Sequence, residues 1–219
     1  MLMYSDEILL DSDFCNMFSD LNTQDTKIDV DELYRKIINQ IGKKPCIHKY
    51  IVESELLSNN YIKEKIKNHE IRVIDYNEII KDDDDKLYYK TLFHEYYKFL
   101  YETDCLNNKI NPKITEKEFS GDVFTSRKAG VNLGEIHSLI TSFFLGIPIF
   151  LSNDNGAKEL ADKKINTSTN INVLVISGFD FLTKYEDIFS RQERKAILSL
   201  HKTWKERWKK QKEQKTGIQ

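Results

Sequence analysis

The chain has 219 residues, of which 40% are hydrophobic and 11% aromatic, so it is long enough for a packed domain and too apolar to be disordered. No apolar run approaches the roughly 20 residues that span a bilayer, and the first residues lack the basic start of a signal peptide. The cysteines, Cys15, Cys46 and Cys105, are odd in number and have no CxxC spacing, which argues against a disulfide framework or a zinc site. We therefore expect a cytoplasmic protein with no membrane association.

Short apolar runs alternate with longer segments of helical periodicity. Strands are predicted at residues 7–11, 47–52, 71–75, 147–151 and 172–177, and helices at residues 30–41, 54–68, 132–145 and 155–164. Strands that are apolar on both faces and alternate with helices are typical of a parallel sheet covered by helices. The pattern predicts a three-layer α/β/α domain with a central parallel sheet of about four or five strands.

Residues 82–130 are predicted to be an insertion in this pattern. Four consecutive acids at 82–85 precede a helical segment that runs to residue 104, and acids at that position favour the positive end of a helix. Residues 107–130 are polar and are predicted to form a long loop. We assign residues 1–180 to the main domain, with 82–130 inserted, and residues 181–219 to a helical extension.

The extension is basic, which the net charge of −2 conceals. From Arg191 onward there are ten basic and three acidic residues, while the rest of the chain is acidic. The extension carries a narrow apolar stripe of Ile197, Leu200, Trp204 and Trp208 at spacings of three and four residues. The stripe could pack back on the body, or it could dock a protein partner or a second copy of the chain.

Acidic residues recur where a predicted strand ends or a helix begins. They are Asp11, Asp13, Glu53, Glu55, Glu135 and Asp154. In a parallel sheet the ligand crevice lies outside the carboxyl ends of the strands, so we expect several of these acids to share one edge.

Three of these acids have an alternative structural role, and Asp11 has none. Glu135 follows Asn132 at the spacing of a capping box, Asp154 could cap the next helix, and Glu55 could occupy a first helical turn. No predicted helix begins directly after Asp11, so this carboxylate requires a cation or a set of hydrogen bonds.

Four carboxylates held close together would repel one another, and a divalent cation would remove that penalty. Oxygen ligands favour Mg²⁺ or Mn²⁺, and no cluster of His or Cys indicates zinc. A site of this kind activates water and stabilises charge on a phosphate, so metal-assisted phosphodiester hydrolysis is the reaction class that follows.

Three stretches together resemble the PIN domain, a family of metal-dependent nucleases that includes the ribonuclease toxins of bacterial toxin–antitoxin pairs. They are ILLDSDFCNMF from residue 8, IVESELL from residue 51, and NLGEIHSLITSFFLGIPIFLSNDNGAKELA from residue 132. The resemblance implies an acidic quartet of Asp11, Glu55, Glu135 and Asp154 around one or two Mg²⁺ or Mn²⁺ ions. It also implies supporting roles for Ser152 and Asp13, with Glu53 as the weaker alternative to Glu55.

The resemblance also implies an RNA substrate and, for the toxins, an antitoxin-like partner. The segment DVFTSRKAGVN carries Asp122, Arg127 and Lys128 just before Glu135, and its basic side chains could hold an RNA backbone. Lys158 is a weaker candidate of the same kind, and a plain surface loop is the alternative for the whole segment. The chain is longer than the compact toxins, because the insertion and the basic extension are added.

Two other interpretations remain open. The run LLDSDFC also fits haloacid-dehalogenase-like phosphatases, in which Asp11 would be the nucleophile and Asp13 the acid and base, but Glu55 and Glu135 would then have no role. Alternatively, the chain could be a non-catalytic PIN-like module that binds a partner, for which the stripe containing Trp204 would be suited.

Overall fold

The computed structural model describes residues 5–23, 28–107, 116–127, 132–168 and 171–216. These residues form an α/β structure around a single sheet of five parallel strands, so the predicted fold class is confirmed. The strands are β1 (Glu7–Leu10), β2 (Lys44–His48), β3 (Arg72–Ile74), β4 (Ile149–Leu151) and β5 (Leu174–Ile176). Their order across the sheet is β3-β2-β1-β4-β5.

Helices fill the connections between the strands. Between β1 and β3 lie α1 (Ser12–Thr23), α2 (Val30–Ile41), α3 (Lys49–Ser54) and α4 (Asn60–Lys67). Between β3 and β4 lie α5 (Tyr76–Ile79), α6 (Asp83–Asn107) and α7 (Leu133–Leu145). The remaining helices are α8 (Asn155–Leu160), which continues as a π-helical turn (Ala161–Ile165), α9 (Asn166–Ser168), α10 (Gly178–Lys184) and α11 (Arg191–Thr216).

The strand residues alternate between two cores, one on each face of the sheet. Leu9 and Phe150 face a core built with α6, α7 and α8, whereas Ile8, Leu10 and Leu151 face a core built with α1, α2, α4, α10 and α11. Because side chains alternate along a strand, a strand that is apolar at every position is buried on both faces. The result is the predicted three-layer arrangement.

The strand order makes β1 and β4 neighbours from which the chain departs in opposite directions. From β1 the chain proceeds to β2 on one side, and it reaches β4 only after β3 and three further helices. A reversal of this kind opens a crevice at the carboxyl ends of the two strands. Asp11 follows β1 directly and Ser152 follows β4 directly, so both residues lie at this crevice.

Capping residues at the helix ends explain why the sequence pattern predicts some helix boundaries well. Helix α2 spans the predicted residues 30–41 because Asp29 accepts a bond from the backbone N–H of Glu32, while Gly42 ends the helix with a left-handed φ of 69°. Helix α6 begins within the acidic run, and Asp82 accepts a hydrogen bond of 2.8 Å from the backbone N–H of Asp85.

Three element predictions were wrong. The second strand ends at His48 rather than at residue 52, because the His48 side chain caps α3. The segment 54–68 is not one helix: α3 ends at Ser54, and Asn59 caps the separate helix α4. A helix, α1, does begin directly after Asp11, contrary to the expectation for that position.

The predicted insertion and extension are partly within the described residues. Residues 116–127 form turns without a helix or a strand, while residues 108–115 and 128–131 of the predicted loop lie outside the described part. Helix α11 packs on the body through Ile197 and Leu200, which are buried beside Phe14 and Phe189 in the core that contains α1. The side chains of Trp204 and Trp208 lie outside the described residues.

Candidate functional site

Asp11 is the centre of the candidate site and is completely buried. Its backbone N–H donates to the carbonyl of Leu151, which joins the ends of β1 and β4. The Asp11 carboxylate accepts a hydrogen bond of 2.8 Å from the backbone N–H of Ser12 and one of 2.6 Å from Oγ of Ser152. Burial raises the pKa of Asp11 well above its usual range, and the charges of Asp13, Glu135 and Glu55 raise it further, against the bond from Ser152.

Helix α1, which begins directly after Asp11, changes how this residue is interpreted. The carbonyl of Asp11 accepts a 3.0 Å bond from the backbone N–H of Cys15, as the residue before a helix does, and the carboxylate is bonded to Ser12. Asp11 therefore has a local structural role as well as its place in the crevice. What remains unusual is its complete burial among other acids.

The segment after β4 is tied to the segment after β1. The backbone N–H of Asn153 donates to Asp13 at 3.1 Å, and the backbone N–H of Asp154 donates to Oγ of Ser152 at 3.1 Å. Ser152 thus bridges Asp11 and the backbone of Asp154. Burial raises the pKa of Asp13 to about 6, the charge of Asp154 raises it as well, and the bond from Asn153 opposes the shift.

Asp154 also has the capping role that the sequence offered as its alternative. Its carboxylate accepts a bond of 2.5 Å from the backbone N–H of Gly156 at the start of α8. The capping does not remove Asp154 from the crevice, because its charge contributes to the raised pKa of both Asp13 and Glu135.

Glu55 and Glu135 reach the crevice from α3 and α7. Glu55 ends α3 rather than opening a helix, so the expected first-turn position was wrong. Its carboxylate lies against the start of α7, where it accepts a bond from the backbone of Gly134. A Cβ atom at Gly134 would lie 2.6 and 2.9 Å from the two carboxylate oxygens of Glu55, so only glycine leaves room for this approach.

The capping box proposed for Asn132 and Glu135 does not form. Asn132 is left-handed with a φ of 56° and makes no side-chain cap bond, and Glu55 instead contacts the first turn of α7. Glu135 is nearly fully buried. Burial raises its pKa well above the usual range, and the charges of Asp154, Glu55 and Asp13 add to the shift.

The acids therefore form one electrostatically coupled cluster of Asp11, Asp13, Glu55, Glu135 and Asp154, here called the acidic cluster. The charges that act on Asp11 and Glu135 are those of other carboxylates. In the described part of the chain, no three Asp, Glu, His or Cys side chains are arranged as ligands of a common metal ion. The donor set itself fits a hard cation, because it consists of carboxylate oxygens whose mutual repulsion a cation would neutralise.

Glu53 lies apart from the acidic cluster. It is half-exposed on α3, where Oε2 accepts a bond of 2.7 Å from Nη2 of Arg127, and Oε1 is 3.8 Å from Nζ of Lys49. The structure thus brings Glu55 rather than Glu53 to the acids of the crevice, as the sequence interpretation preferred.

Arg127 is held beside Glu53 and Tyr50. Its other terminal nitrogen donates to the carbonyls of Phe124 and Ser126, and the guanidinium lies 5.8 Å from the ring centre of Tyr50. Tyr50 is within the electrostatic reach of Arg127, Glu55 and Glu135 together. Arg127 therefore shares Tyr50 as a neighbour with Glu55 and Glu135, while its own carboxylate partner is Glu53.

The other residues predicted to bind RNA are less informative. Lys158 on α8 points its ammonium to Asp180 at 4.0 Å, and both side chains are exposed. Asp122 accepts bonds from the backbone of Phe124 and Thr125 and so shapes the turn before Arg127. Lys128 lies outside the described residues.

Two buried histidines, His48 and His137, were missed by the sequence interpretation. His48 ends β2, and His137 lies on α7 two residues after Glu135. Their rings stack at 5.2 Å with an interplanar angle of 2°. Burial lowers the pKa of His48 to about 3 and that of His137 well below its usual value, so burial favours the neutral form of both rings. The sequence signal was weak, because a single His after a strand and another in an apolar helix are both common in cores.

No protein-family model, curated protein or solved structure matches this chain in the comparisons. None of the described helices is both long and apolar enough to cross a membrane.

Proposed function

We propose that the chain is a Mg²⁺- or Mn²⁺-dependent ribonuclease of the PIN-like type that acts in the cytoplasm. The observation that carries the proposal is the acidic cluster at the crevice between β1 and β4, in which buried carboxylates raise one another's pKa. Keeping several acids buried together is costly unless a cation neutralises them, and oxygen-only ligands match these two ions. The three cysteines are free, which suits a reducing compartment.

In this proposal Asp11, Glu135 and Asp154 hold the cation, and Glu55 completes the catalytic quartet. A bound cation of this type lowers the pKa of a coordinated water and stabilises negative charge on a phosphate. Ser152 orients the Asp11 carboxylate through its 2.6 Å bond, and Asp13 ties the segment after β4 in place through Asn153.

The substrate backbone would be held by basic side chains at the rim. Arg127 is the principal candidate because its guanidinium lies 5.8 Å from the ring centre of Tyr50, a residue on which Glu55 and Glu135 also act, and Lys128 and Lys158 are the further candidates. Phosphate contacts of this type supply affinity without reading sequence.

The preference for RNA, the toxin role and the antitoxin-like partner rest on the resemblance of the three acidic stretches to the PIN family. The partner, or a second copy of the chain, would dock on the α11 stripe that contains Trp204 and Trp208. The buried Ile197 and Leu200 fix the start of this helix on the body.

The proposal is tested with a fluorescently labelled single-stranded RNA and purified protein. We expect cleavage with Mg²⁺ or Mn²⁺, none in excess EDTA, and none by the Asp11→Asn variant. Asp162→Asn is the matched control, because Asp162 is exposed and should leave cleavage unchanged. Cleavage that persists in EDTA would contradict the metal mechanism. Hydrolysis of p-nitrophenyl phosphate that Asp13→Asn abolishes would instead identify a phosphatase.

A further inference from the structure

His48 and His137 lie between the elements that carry Glu55 and Glu135. His48 is the last residue of β2 and precedes α3, the helix that ends at Glu55. His137 is on α7, in which Glu135 occupies the first turn. The two rings are the point at which these elements contact each other through stacked side chains.

The His48 ring is fixed by its own backbone. Its Nδ1 accepts a bond of 3.1 Å from the backbone N–H of Tyr50 and so caps α3. Because the ring is neutral and Nδ1 accepts, the proton resides on Nε2. Nε2 is buried with no hydrogen-bond partner among the described residues. The ring is thus held by the cap, by the stack on His137 and by an edge contact with Tyr76 at 4.8 Å.

The His137 ring is fixed from a third element. The hydroxyl of Tyr89 on α6 lies 2.7 Å from Nδ1 of His137, and both residues are buried. The ring of Tyr50 packs on the other side of this contact at 4.7 Å. The stack therefore joins α3, α6 and α7 through directional contacts, which a purely apolar core would not supply.

We propose that the His48–His137 stack is a positioning device that holds Glu55 and Glu135 against each other and so sets the geometry of the cation site. The inference rests on the proposed function for the cation itself. The charge of Glu55 raises the pKa of Glu135, so the two carboxylates repel each other when both are ionised. The stack joins the end of β2, where α3 begins, to α7, and Tyr50 of α3 contacts the same His137 ring, so these contacts oppose a separation of the two acids. His48 and His137 are positioning residues, since neither is placed among the ligands.

The first test needs no metal. In EDTA, Glu55→Gln removes the repulsion and should raise the Tm of the otherwise unchanged protein by about 3 °C, the shift for roughly 1 kcal/mol in a chain of this size. In the His137→Leu background the same change should raise the Tm by less than about 1 °C, because the acids are no longer held together. Equal rises in Tm in the unmodified protein and in His137→Leu would overturn the positioning role.

Milder variants cover the case in which His137→Leu fails to fold. Tyr89→Phe removes only the hydroxyl that contacts His137, and His48→Asn keeps a side chain that can cap α3 but removes the ring. Each variant should diminish the rise in Tm that Glu55→Gln produces. Tyr96→Phe is the matched control, since Tyr96 is buried on the same helix as Tyr89 and its hydroxyl has no hydrogen-bond partner among the described residues.

The second test measures Mn²⁺ binding by equilibrium dialysis. His137→Leu and His48→Asn should each weaken binding about tenfold, as the loss of groups that orient metal ligands does, while Tyr96→Phe leaves it unchanged. Binding to both histidine variants as tight as to the unmodified protein would overturn the positioning role. A protein that binds no Mn²⁺ would overturn the proposed metal chemistry. The comparison of Tm values for Glu55→Gln with and without His137→Leu would still decide the positioning role.

Discussion

Ser152 donates a hydrogen bond of 2.6 Å from its hydroxyl to Oδ2 of Asp11, across the junction of the neighbouring strands β1 and β4. The same hydroxyl accepts a bond from the backbone N–H of Asp154. One side chain thus connects two acids of the cluster, and it comes from the strand that the fold places next to Asp11.

Replacing Ser152 by alanine should destabilise the protein by about 1–2 kcal/mol, because a buried carboxylate oxygen and a backbone N–H lose their partner. The measurement is urea unfolding at neutral pH. Ser142→Ala is the matched control: Ser142 is equally buried, but its hydroxyl has no partner among the described residues, so the change should stay within about 0.5 kcal/mol. Equal losses for both serines would contradict the role of Ser152.

The acidic cluster should make the metal-free protein less stable as the pH rises. The pKa values of Asp11 and Glu135 are raised in the folded state, so between the unfolded pKa of about 4 and the folded pKa the native state binds more protons than the unfolded state. The free energy of unfolding therefore falls with increasing pH in this window, and Asp13, with a pKa of about 6, adds to the fall.

The measurement is the Tm in EDTA from pH 5 to pH 8. The fall in Tm should be smaller in Asp11→Asn, which removes one of the groups with a raised pKa, and Mn²⁺ should raise the Tm more at pH 8 than at pH 5.

Glu193 behaves in the opposite sense. Its pKa is lowered although burial opposes the shift, because Lys36 and Ser190 bond its carboxylate, so its contribution to stability is lost only as the pH falls below about 4. A Tm that is independent of pH between 5 and 8 would contradict the coupled cluster.

Replacing Gly134 by alanine should displace the Glu55 carboxylate, because the new Cβ would lie 2.6 Å from one of its oxygens. We expect a destabilisation of about 1–3 kcal/mol, as for other changes that overfill a packed site, and weaker Mn²⁺ binding. In the Glu55→Ala background the same change should cost little, since the clashing oxygens are gone. A cost that is identical in the two backgrounds would show that Gly134 matters for another reason.

The ion pair between Glu53 and Arg127 should compete with a bound RNA backbone. Glu53→Gln frees the guanidinium and should increase the affinity for a labelled single-stranded RNA about threefold, the scale of one exposed ion pair, whereas Arg127→Gln should lower the affinity and reduce its salt dependence. Fluorescence anisotropy in EDTA separates binding from cleavage. If Glu53→Gln had the same effect in the Arg127→Gln background, the competition would be ruled out.

The sheet and much of the site could be predicted because both follow from strong local signals. Strands β1, β4 and β5 are apolar runs, and parallel strands bring their carboxyl ends to one edge. This reasoning alone brings Asp11 and Asp154 together. Asp154 both caps α8 and belongs to the cluster, so the capping interpretation and the site interpretation were not exclusive.

The remaining features depend on contacts that one sequence does not display. The start of α1 was missed because residues 7–11 were interpreted as a strand with no helix directly after it, although Phe14, Phe18 and Leu21 have helical spacing. The end of β2 was misplaced because the apolar run continues through Tyr50 and Ile51 into α3, and only the His48 cap marks the boundary. The histidine stack joins residues 48 and 137, a pairing that only the tertiary fold creates.

The most direct test of the central claim is the location of Mn²⁺ by anomalous diffraction from crystals soaked in Mn²⁺ at pH 8. We predict an anomalous peak between the carboxylates of Asp11, Glu135 and Asp154, at coordination distance from at least two of them, and no such peak in crystals of Asp11→Asn. Well-occupied Mn²⁺ at other positions, with no density in the crevice between β1 and β4, would contradict the claim that the acidic cluster is a metal site.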